Sequence, residues 1–566
     1  MEREYIVTLK SKNDLISFYQ DMETSGGPQH IPDREVELKE RRAISRNTHY
    51  LLTHEEAEEL RKDDRVLAVE LTPKERGLRT IRFGSYTVSG NFDKTPDTVS
   101  DINWGILHCA GNQSQRRKGF FGTDMMHEFS DTVTVFNDGE NVDVVIIDEP
   151  VAYDHQEFLD PDTNQTRFVQ YQWYSQLDQY MVLLDTQESD LTYQNFISNN
   201  TDLPYYNCPQ LSSSGYNLLH GTHVAGTAVG KFQGWARKSN LYSIPVALGS
   251  VVQSIGQQNA MEDTKVFDYL RAFHLYKPDN INTGKRNPTV TNHSWGYGYY
   301  FQMSNLSSIT SVNFRGDVNY KPTDRAWTIS ELGSNFGIYV KFENGVYKIS
   351  IPDKVLSLEA DVQDAIDDGV IVVTAAGNDN YYGVPSGHQD YNNTVTIGNE
   401  TIYYNRGTSP GATLDAINVG NISAKSDFRR HETSNFGPIV NVFAPGENIH
   451  SSLPYSHQYY YGTGTGTSFA APQVAGIIAC FCTNRDGREV NNARALQYLQ
   501  DMGIDGEITE DVNGGSLSDN TTLRDSPNLT AASRERRDEY SILSFNDLPR
   551  ESEGVVYPRK KIGKKS

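Results

Sequence analysis

One stretch decides how the rest of this 566-residue sequence is interpreted: residues 464–472, which read GTGTSFAAP. Its glycines let a second backbone approach closely and place the Ser468 hydroxyl in a turn. The apolar run at 469–481 predicts a buried helix with Pro472 in its first turn, where a missing N–H costs nothing. Ser468 would then lie at the positive end of a helix dipole. Such turns also occur in loops without chemistry, so a nucleophilic serine requires partners elsewhere in the sequence.

Two upstream residues are candidates for these partners. A serine nucleophile needs a base within hydrogen-bond reach and a third group that orients the base. Asp148 follows the apolar run VVII at 144–147, which predicts a buried parallel strand with the aspartate at its carboxyl end. His220 opens the stretch HGTHVAGT at 220–227, whose small residues permit tight helix packing. Because ligands of open α/β sheets bind at the carboxyl ends of the strands, we expect Asp148, His220 and Ser468 to meet there as a catalytic triad.

The order of these residues along the chain, aspartate, histidine and serine, is that of subtilisin, a well-known example of a convergent triad. The sequence resembles the subtilases, peptidase family S8, in its histidine motif at 220–226 and its serine motif at 466–472. The resemblance implies an α/β, subtilisin-like three-layer fold with a central parallel sheet. It also implies a serine endopeptidase that hydrolyses polypeptide through an acyl-enzyme intermediate.

Two further motifs extend this resemblance to the rest of the site. Residues 372–378, VVTAAGN, are similar to the strand and loop that deliver the oxyanion-hole asparagine of the family, here Asn378. Residues 292–296, NHSWG, resemble the family strand that pairs with an extended peptide. The resemblance assigns substrate binding to Ser294, Trp295, Gly296, Ala375, Ala376 and Gly377.

The sequence departs from the family pattern at two places. Subtilases usually follow the triad aspartate with Ser or Thr and then Gly, whereas this chain has Glu149 and Pro150. An inward Glu149 carboxylate would perturb the titration of the triad, whereas an outward one would shape a subsite. Pro150 removes a backbone donor, so the site is either intact with a different shape or inactive. Trp295 replaces the usual leucine and is expected either to narrow a side-chain pocket or to pack against a nearby hairpin.

The N-terminal residues 1–76 alternate strand and helix patterns, with a capping-box signal at Thr53 and Glu56. This pattern predicts a small α+β unit. It resembles the ferredoxin-like inhibitor I9 prodomains, which implies an inhibitor that acts in cis on its own catalytic domain; an unrelated accessory domain is the alternative. Residues 77–100 would be a linker that carries an autoprocessing site.

The catalytic domain is predicted over residues 101–505, with two insertions. The insertion at 154–219 is polar and aromatic, which predicts surface loops that wall the cleft. The insertion at 297–352 carries a hairpin signal around its Asn-Gly pair, with simple decoration of the surface as the alternative. Residues 506–566 are predicted to form an extension that ends in a basic tail, either solvated or docked on an acidic partner.

Net charge and hydropathy argue against two classes of partner, nucleic acids and membranes. The net charge of −22 repels phosphate backbones, so we expect no nucleic acid partner. No apolar run approaches the roughly 20 residues that cross a bilayer, so no membrane is expected. The chain begins without a secretory signal pattern, which favours a cytoplasmic or virion-associated protein over a secreted one.

Cofactors are not required by the predicted chemistry. His220 and His223 stand three apart, but no neighbouring residue completes a zinc site, so His223 is predicted to be structural and no metal ligand is assigned. Calcium binds many subtilases through oxygen ligands that one sequence rarely identifies, and calcium is left open here.

The alternative to an enzyme is a subtilase-like structural or interaction protein with weak or lost activity. Leaderless subtilase-like chains with Tyr- and Asn-rich insertions look similar to proteins encoded by tailed bacteriophages, where they belong to the particle. Such a protein would keep the fold and lose its chemistry at Glu149 and Pro150.

Overall fold

The computed structural model covers the N-terminal unit and most of the predicted catalytic region. It describes residues 2–23, 36–41, 45–72, 75–76, 79–82, 85–87, 103–110, 137–184, 202–203, 220–246, 260–424, 429–454, 460–483, 490–505, 508 and 529–530. Most of the predicted linker, part of the first insertion and most of the C-terminal extension lie outside these residues, and the predictions for those parts stay predictions.

A small α+β unit begins the chain. Its elements are β1 (Arg3–Leu9), α1 (Leu15–Glu23), β2 (Glu37–Arg41), β3 (Asn47–Leu52), α2 (His54–Leu60) and β4 (Val66–Leu71). The strands form an antiparallel sheet in the order β2-β3-β1-β4, with its own hydrophobic cluster. The predicted capping box is present, since Thr53 and Glu56 exchange side-chain and backbone hydrogen bonds at the start of α2. Strand β2 was not expected, because its sequence ELKER has no apolar alternation.

Two short strands follow, and then the larger part of the molecule. The strands are β5 (Arg79–Arg82), β6 (Ser85–Thr87), β7 (Asp143–Asp148), β8 (Asn240–Pro245), β9 (Thr289–His293), β10 (Trp295–Met303), β11 (Ile309–Phe314), β12 (Asp317–Tyr320), β13 (Lys341–Glu343), β14 (Val346–Pro352), β15 (Ile371–Ala375), β16 (Thr394–Ile397), β17 (Glu400–Tyr403), β18 (Ile417–Ile422), β19 (Val442–Pro445), β20 (Ile449–Ser452), β21 (Tyr461–Thr465), β22 (Ile504–Asp505) and β23 (Leu529–Thr530). The helices are α3 (Trp104–Ala110), α4 (Trp173–Leu184), α5 (His220–Val229), α6 (Val266–Tyr276), α7 (Ile329–Phe336), α8 (Leu356–Asp367), α9 (Thr467–Cys482) and α10 (Asn492–Met502).

A central sheet organises this larger part. Its order is β22-β23-β19-β18-β15-β9-β7-β8, and every neighbouring pair is parallel except the antiparallel pair β22 and β23. A parallel sheet is covered by helices on both faces, so its strands are apolar throughout, as the fully buried sequences of β7 and β15 illustrate. The predicted α/β fold with a central parallel sheet is confirmed.

The two faces of the sheet bury different hydrophobic clusters. Val144 and Ile146 of β7 belong to a first cluster with α5 and α9, whereas Val145 and Ile147 belong to a second cluster with α4, α6 and α8. Successive side chains of a strand point to opposite faces, so one short strand contributes to both clusters. This packing fixes the carboxyl end of β7 between the helices that begin near it.

The second insertion folds into a β-rich unit with a third hydrophobic cluster. The predicted hairpin is present as β13 and β14, and its turn residues Asn344 and Gly345 both have positive φ, which the Asn-Gly pair tolerates well. Strand β14 pairs with the far end of β10, and β11 joins β12, β16 and β17 in a separate antiparallel sheet. The insertion therefore extends the strand that was predicted to bind substrate and adds more than surface decoration.

Candidate active site

Asp148 and His220 meet at the carboxyl edge of the central sheet. Asp148 is the last residue of β7, and His220 is the first residue of α5. The His220 Nδ1 lies 2.7 Å from the Asp148 Oδ1, and both side chains are buried. A carboxylate at this distance holds the ring with Nδ1 protonated, which leaves Nε2 as the basic nitrogen.

Ser468 lies at the start of α9, as the apolar run after it predicted. Its Oγ donates to the Ser294 carbonyl oxygen at 3.3 Å, and the Ser294 hydroxyl donates to the Ser468 carbonyl oxygen at 2.9 Å. The next residue, Phe469, has its ring 5.5 Å from the His220 ring. Helices α5 and α9 pack against each other in the first cluster, so their N-termini bring the predicted base and the predicted nucleophile to the same region.

Asn378 is held by Thr467, the residue that precedes the candidate nucleophile. The Asn378 Oδ1 accepts hydrogen bonds from the Thr467 backbone N–H at 2.9 Å and from the Thr467 hydroxyl at 3.1 Å. Within the described residues, the Asn378 Nδ2 is buried and has no hydrogen-bond partner. Buried amide donors are almost always paired, so an unpaired one next to a candidate nucleophile is available to an incoming oxygen atom.

The loop between β15 and Asn378 carries three of the predicted substrate-binding residues. Ala375 ends β15, and the Ala376 backbone N–H donates to Val419 at 2.9 Å, which ties the loop to the sheet. Gly377 has φ of 105°, a value that residues with side chains rarely adopt, and its N–H donates to the Thr467 hydroxyl at 3.1 Å. The loop therefore delivers Asn378 to the start of α9.

The predicted substrate strand is paired with the chain's own β5. The pairing is antiparallel, with Trp295 opposite Arg82 and Gly296 opposite Ile81. On the other side of the nucleophile, β21 pairs antiparallel with β6, where Thr465 lies opposite Ser85. The segment after the N-terminal unit thus occupies two backbone edges, one adjacent to Ser294 and one three residues before Ser468.

The Trp295 side chain does not pack against the hairpin, which was one of the two expectations for it. Its indole is fully buried in the second cluster and contacts the rings of His293 and Tyr297, with centroid distances of 5.9 and 6.1 Å. The expected packing against the hairpin is wrong, because the buried hairpin residues Ile349 and Ile351 belong to the third cluster. Alternation along β10 explains this result, since the Trp295 side chain points into the core while its backbone pairs with β5.

Glu149 points inward, which settles the alternative left open by the sequence. Its side chain is fully buried, and its Oε2 accepts the His220 backbone N–H at 2.8 Å. The Glu149 backbone N–H donates to the Asp148 Oδ1 at 2.7 Å. The carboxylate therefore lies at the N-terminus of α5, where the helix dipole stabilises negative charge.

His223, one turn further along α5, is buried against backbone. Its Nε2 lies 2.9 Å from the Ile449 carbonyl oxygen and 3.1 Å from that of Gly462. Burial lowers the pKa of His223 to about 3, so the ring is neutral at ordinary pH. Such a position suits the structural role that was predicted for it.

Metal-binding clusters and membrane-spanning helices are absent from the part of the chain that the structure describes. There, no group of three or more His, Cys, Asp or Glu side chains is arranged to hold a metal ion. In the same residues, no helix combines the length and apolar character that crossing a bilayer requires.

Two contributions to the site were not foreseen from the sequence. Thr467 orients Asn378, and β21 offers a second backbone edge beside the nucleophile. The YGTGT sequence of β21 was the available signal, because its small residues at 462–465 leave room for a neighbouring strand. The contact between Glu149 and α5 joins residues 71 positions apart, and no local pattern reports it.

Residues 139–500 match the Peptidase S8 model, the subtilase family. The chain belongs to the subtilase family. This confirms the predicted family, and the geometry above agrees with it, because Asp148 contacts His220 and Phe469, the residue after Ser468, packs near the His220 ring. The match begins after the N-terminal α+β unit and leaves that unit unassigned.

The named relatives share low sequence identity with this subtilase over part of its length. Alkaline protease 2 of Aspergillus fumigatus is 26% identical over 312 residues, which are 55% of this chain and 46% of that protein. The major intracellular serine protease of Bacillus subtilis is 34% identical over 153 residues, 27% of this chain and 40% of that protein. The chain spans about half the length of these curated relatives.

Solved structures are similar at low identity. Fervidolysin from Fervidobacterium pennivorans, a keratinolytic enzyme related to subtilisin, aligns with a TM-score of 0.48 at 15% identity over 94% of this chain and 60% of that one. A cold adapted subtilisin-like serine proteinase aligns with a TM-score of 0.41 at 19% identity over 76% of this chain and 98% of that one.

Proposed function

We propose that this subtilase is a serine endopeptidase with Asp148, His220 and Ser468 as its catalytic triad. The observation that carries the proposal is the 2.7 Å contact between the buried Asp148 and His220 at the edge where α9 presents Ser468. A histidine oriented by a buried carboxylate next to a serine at a helix N-terminus is the arrangement that activates a hydroxyl at neutral pH.

The proposed reaction proceeds in two halves. The Ser468 Oγ forms a bond to the carbonyl carbon of the substrate while its proton passes to the His220 Nε2. When the tetrahedral intermediate collapses, the carbon–nitrogen bond breaks and the same proton goes to the departing amine, which leaves an ester on Ser468. Water then attacks this ester with His220 again as the base, releasing the carboxylic acid and restoring the serine.

Asn378 is proposed to stabilise the tetrahedral intermediates. Its Nδ2 has no partner within the described residues, and its Oδ1 is held by both the backbone and the hydroxyl of Thr467. Together with the Ser468 backbone N–H, this amide would face the negative oxygen that exists only after attack. Donors fixed in advance for such an oxygen accelerate the chemical step more than they tighten binding.

Extended polypeptide is the proposed substrate. Strands β10 and β21 each pair antiparallel with a short segment of the chain itself, β5 and β6. Backbone pairing of this kind accepts an extended peptide with little regard to its side chains. A substrate bound in the same manner would have its N-terminal side on β10 and its C-terminal side on β21.

The N-terminal unit is proposed to act as a prodomain that inhibits the enzyme in cis. Asp361 on α8 accepts hydrogen bonds from the Asn47 side chain, at 2.9 Å, and from the Ser45 hydroxyl, and all three residues are buried. The Glu70 carboxylate accepts the Ser357 N–H at 2.7 Å in the first turn of α8. These polar contacts dock the unit on the catalytic domain and direct the following segment towards the cleft.

The register of the two pairings limits where self-processing would occur. Arg82 lies opposite Trp295, the residue after Ser294, and Ser85 lies opposite Thr465, three residues before Ser468. Arg82 and Ser85 thus pair with two segments that adjoin the nucleophile, one through the Ser294 hydrogen bonds to Ser468 and one along the chain into α9. We expect the first cut at one of the three peptide bonds between these two residues.

The proposal is tested with a rhodamine-tagged fluorophosphonate, which labels only an activated serine. The wild-type chain should be labelled, while the Ser468→Ala and His220→Ala variants should not. Mass spectrometry of the purified wild-type chain should show a new N-terminus after Arg82 and no later than Ser85, with Ser468→Ala left whole. Folded wild-type protein that resists the probe would overturn the peptidase proposal and leave the alternative of a subtilase-like interaction protein.

A further inference from the structure

We infer that Glu149 is a positioning residue for the Asp148–His220 pair, acting through a closed ring of three hydrogen bonds. This inference rests on the proposed peptidase function and deepens it. Glu149 stands where the family usually has Ser or Thr, and its side chain is fully buried at the site. A buried carboxylate is costly to maintain unless its partners compensate the lost hydration, so its partners indicate what it does.

The three bonds of the ring link the two catalytic residues twice. The His220 Nδ1 lies 2.7 Å from the Asp148 Oδ1, which orients the ring. The Glu149 N–H donates to this same Oδ1 at 2.7 Å, and the Glu149 Oε2 accepts the His220 backbone N–H at 2.8 Å. The histidine is thus held at its ring by Asp148 and at its backbone by Glu149.

The turn that contains Glu149 is closely packed on the first turn of α5. A Cβ atom on Gly221 would come within 2.0 Å of the Glu149 carbonyl oxygen, so only glycine permits this approach. The Ala152 N–H donates to the Thr222 hydroxyl at 2.9 Å. Three consecutive residues of α5, beginning with His220, therefore contact the turn that follows β7.

Glu149 is buried where a helix N-terminus supplies a donor to its carboxylate. The first backbone N–H groups of a helix lack intrahelical partners, and the helix dipole makes that end positive. The Glu149 carboxylate accepts one of these N–H groups, that of His220 itself, at 2.8 Å. Glu149 supports the base without contacting the reacting atoms, which makes it a positioning residue.

The consequence is a specific kinetic signature. Loss of the Glu149 acceptor would let the first turn of α5 shift, and a small displacement of a catalytic group costs about 10- to 100-fold in the chemical step. The strands proposed to bind substrate, β10 and β21, contribute none of the three hydrogen bonds of the ring. The maximal rate should therefore fall while affinity stays the same.

Two variants of similar shape separate this role from a general effect on folding. Glu149→Gln keeps an oxygen that can accept the His220 N–H, whereas Glu149→Met fills the same space with no acceptor. Glu331→Ala is the matched control, because it removes a carboxylate cap from the exposed start of α7, in the third-cluster unit. Each full-length chain is allowed to process, its unfolding midpoint is measured, and it is then titrated with the fluorophosphonate for kinact and KI.

We expect Glu149→Met to lower kinact about 10- to 100-fold with KI unchanged, and Glu149→Gln to recover kinact to within roughly threefold of wild type. Glu331→Ala should match wild type. The inference is overturned if Glu149→Met reacts at the wild-type rate, or if Glu149→Gln is as slow as Glu149→Met. Wild-type protein without any labelling refutes the peptidase proposal instead, so the two failures are distinguishable.

Discussion

Helices α5 and α9 begin at the same site, yet their N-termini are built differently. The α5 end carries the Glu149 carboxylate against His220, whereas α9 is preceded by Gly466, an N-cap residue with no side-chain capping bond. At α9 the neutral Asn378 amide accepts the Thr467 N–H. The proposed reaction creates a positive charge on the histidine and a negative charge near the serine. A carboxylate at the start of α5 suits the positive charge on His220, and the lack of one at the start of α9 suits the negative charge near Ser468.

The largest effect should come from removing the contact between Asp148 and His220 at the start of α5. We expect Asp148→Ala to lower kcat on a peptide substrate by about 10⁴-fold, the order of loss measured for the triad aspartate of subtilisin. Without the carboxylate, the His220 ring loses its orientation and its imidazolium loses its counter-charge. Initial rates over a range of substrate concentrations measure this, with the exposed Asp162→Ala as the control. A loss below tenfold would contradict the assigned role.

The next largest effect is expected at the start of α9, where the Asn378 amide lies. We expect Asn378→Ala to lower kcat about 10²- to 10³-fold with KM little changed, the size found for such a donor in subtilisin. The Nδ2, which has no partner among the described residues, is proposed to face charge that develops only in the transition state, so substrate binding should not need it. Asn305→Ala, at an exposed turn, is the matched control. A rise in KM with unchanged kcat would show that Asn378 binds substrate instead.

A smaller effect is expected from Thr467→Val, which keeps the shape of the side chain and removes its hydroxyl. The hydroxyl bridges the Gly377 N–H and the Asn378 Oδ1, while the Thr467 backbone N–H would still hold the amide. Of the two hydrogen bonds that the hydroxyl makes, the one to Asn378 orients the amide, and its loss is worth about 0.5–1.5 kcal/mol, which predicts a roughly 2- to 12-fold fall in kcat. Stopped-flow or steady-state rates decide the matter, and a loss as large as that of Asn378→Ala would mean that Thr467 does more than orient the amide.

The smallest effect is expected on stability, at the interface between α5 and α9. There the centroid of the His223 ring lies 4.6 Å from that of Phe469. Burial lowers the pKa of His223 to about 3, below its ordinary 6.5. The native state therefore resists protonation, and the stability linked to this ring is present above pH 6.5 and is lost as the pH falls from there towards 3. Each proton taken up only on unfolding changes the unfolding free energy by about 1.4 kcal/mol per pH unit.

The test is the pH dependence of unfolding by urea between pH 7 and 5. His223→Gln can still donate to the Ile449 carbonyl oxygen but cannot become charged, so its stability should decline less steeply than that of wild type. Parallel curves for the two proteins would show that His223 does not contribute to the acid sensitivity.

The motifs of the sequence were sufficient to predict the fold class and the family. Buried parallel strands leave continuous apolar runs such as 144–147, and a small-residue helix start leaves the stretch at 220–227, so both are visible locally. The positions of Asp148, His220 and Ser468 followed from these patterns. Their catalytic roles remain proposals that the experiments above address.

Other features depend on contacts between distant parts of the chain. Local residue types could not decide whether Glu149 points towards the helix or towards solvent, because that depends on the packing of α5 against the turn after β7. For the same reason, the sequence left two alternatives for the Trp295 side chain, and the one against the hairpin was wrong. The pairing of β5 and β6 with β10 and β21 was likewise not specified by any local pattern.

The sequence by itself determined which residues can perform chemistry and which strands must be buried, because hydroxyl, imidazole and carboxylate chemistry and apolar periodicity are properties of short segments. Only the tertiary structure decided how the site is held together. The Glu149 bond to His220 and the Thr467 bonds to Asn378 each join residues more than 70 positions apart, and hydrogen bonds form only where folding brings donor and acceptor within about 3 Å.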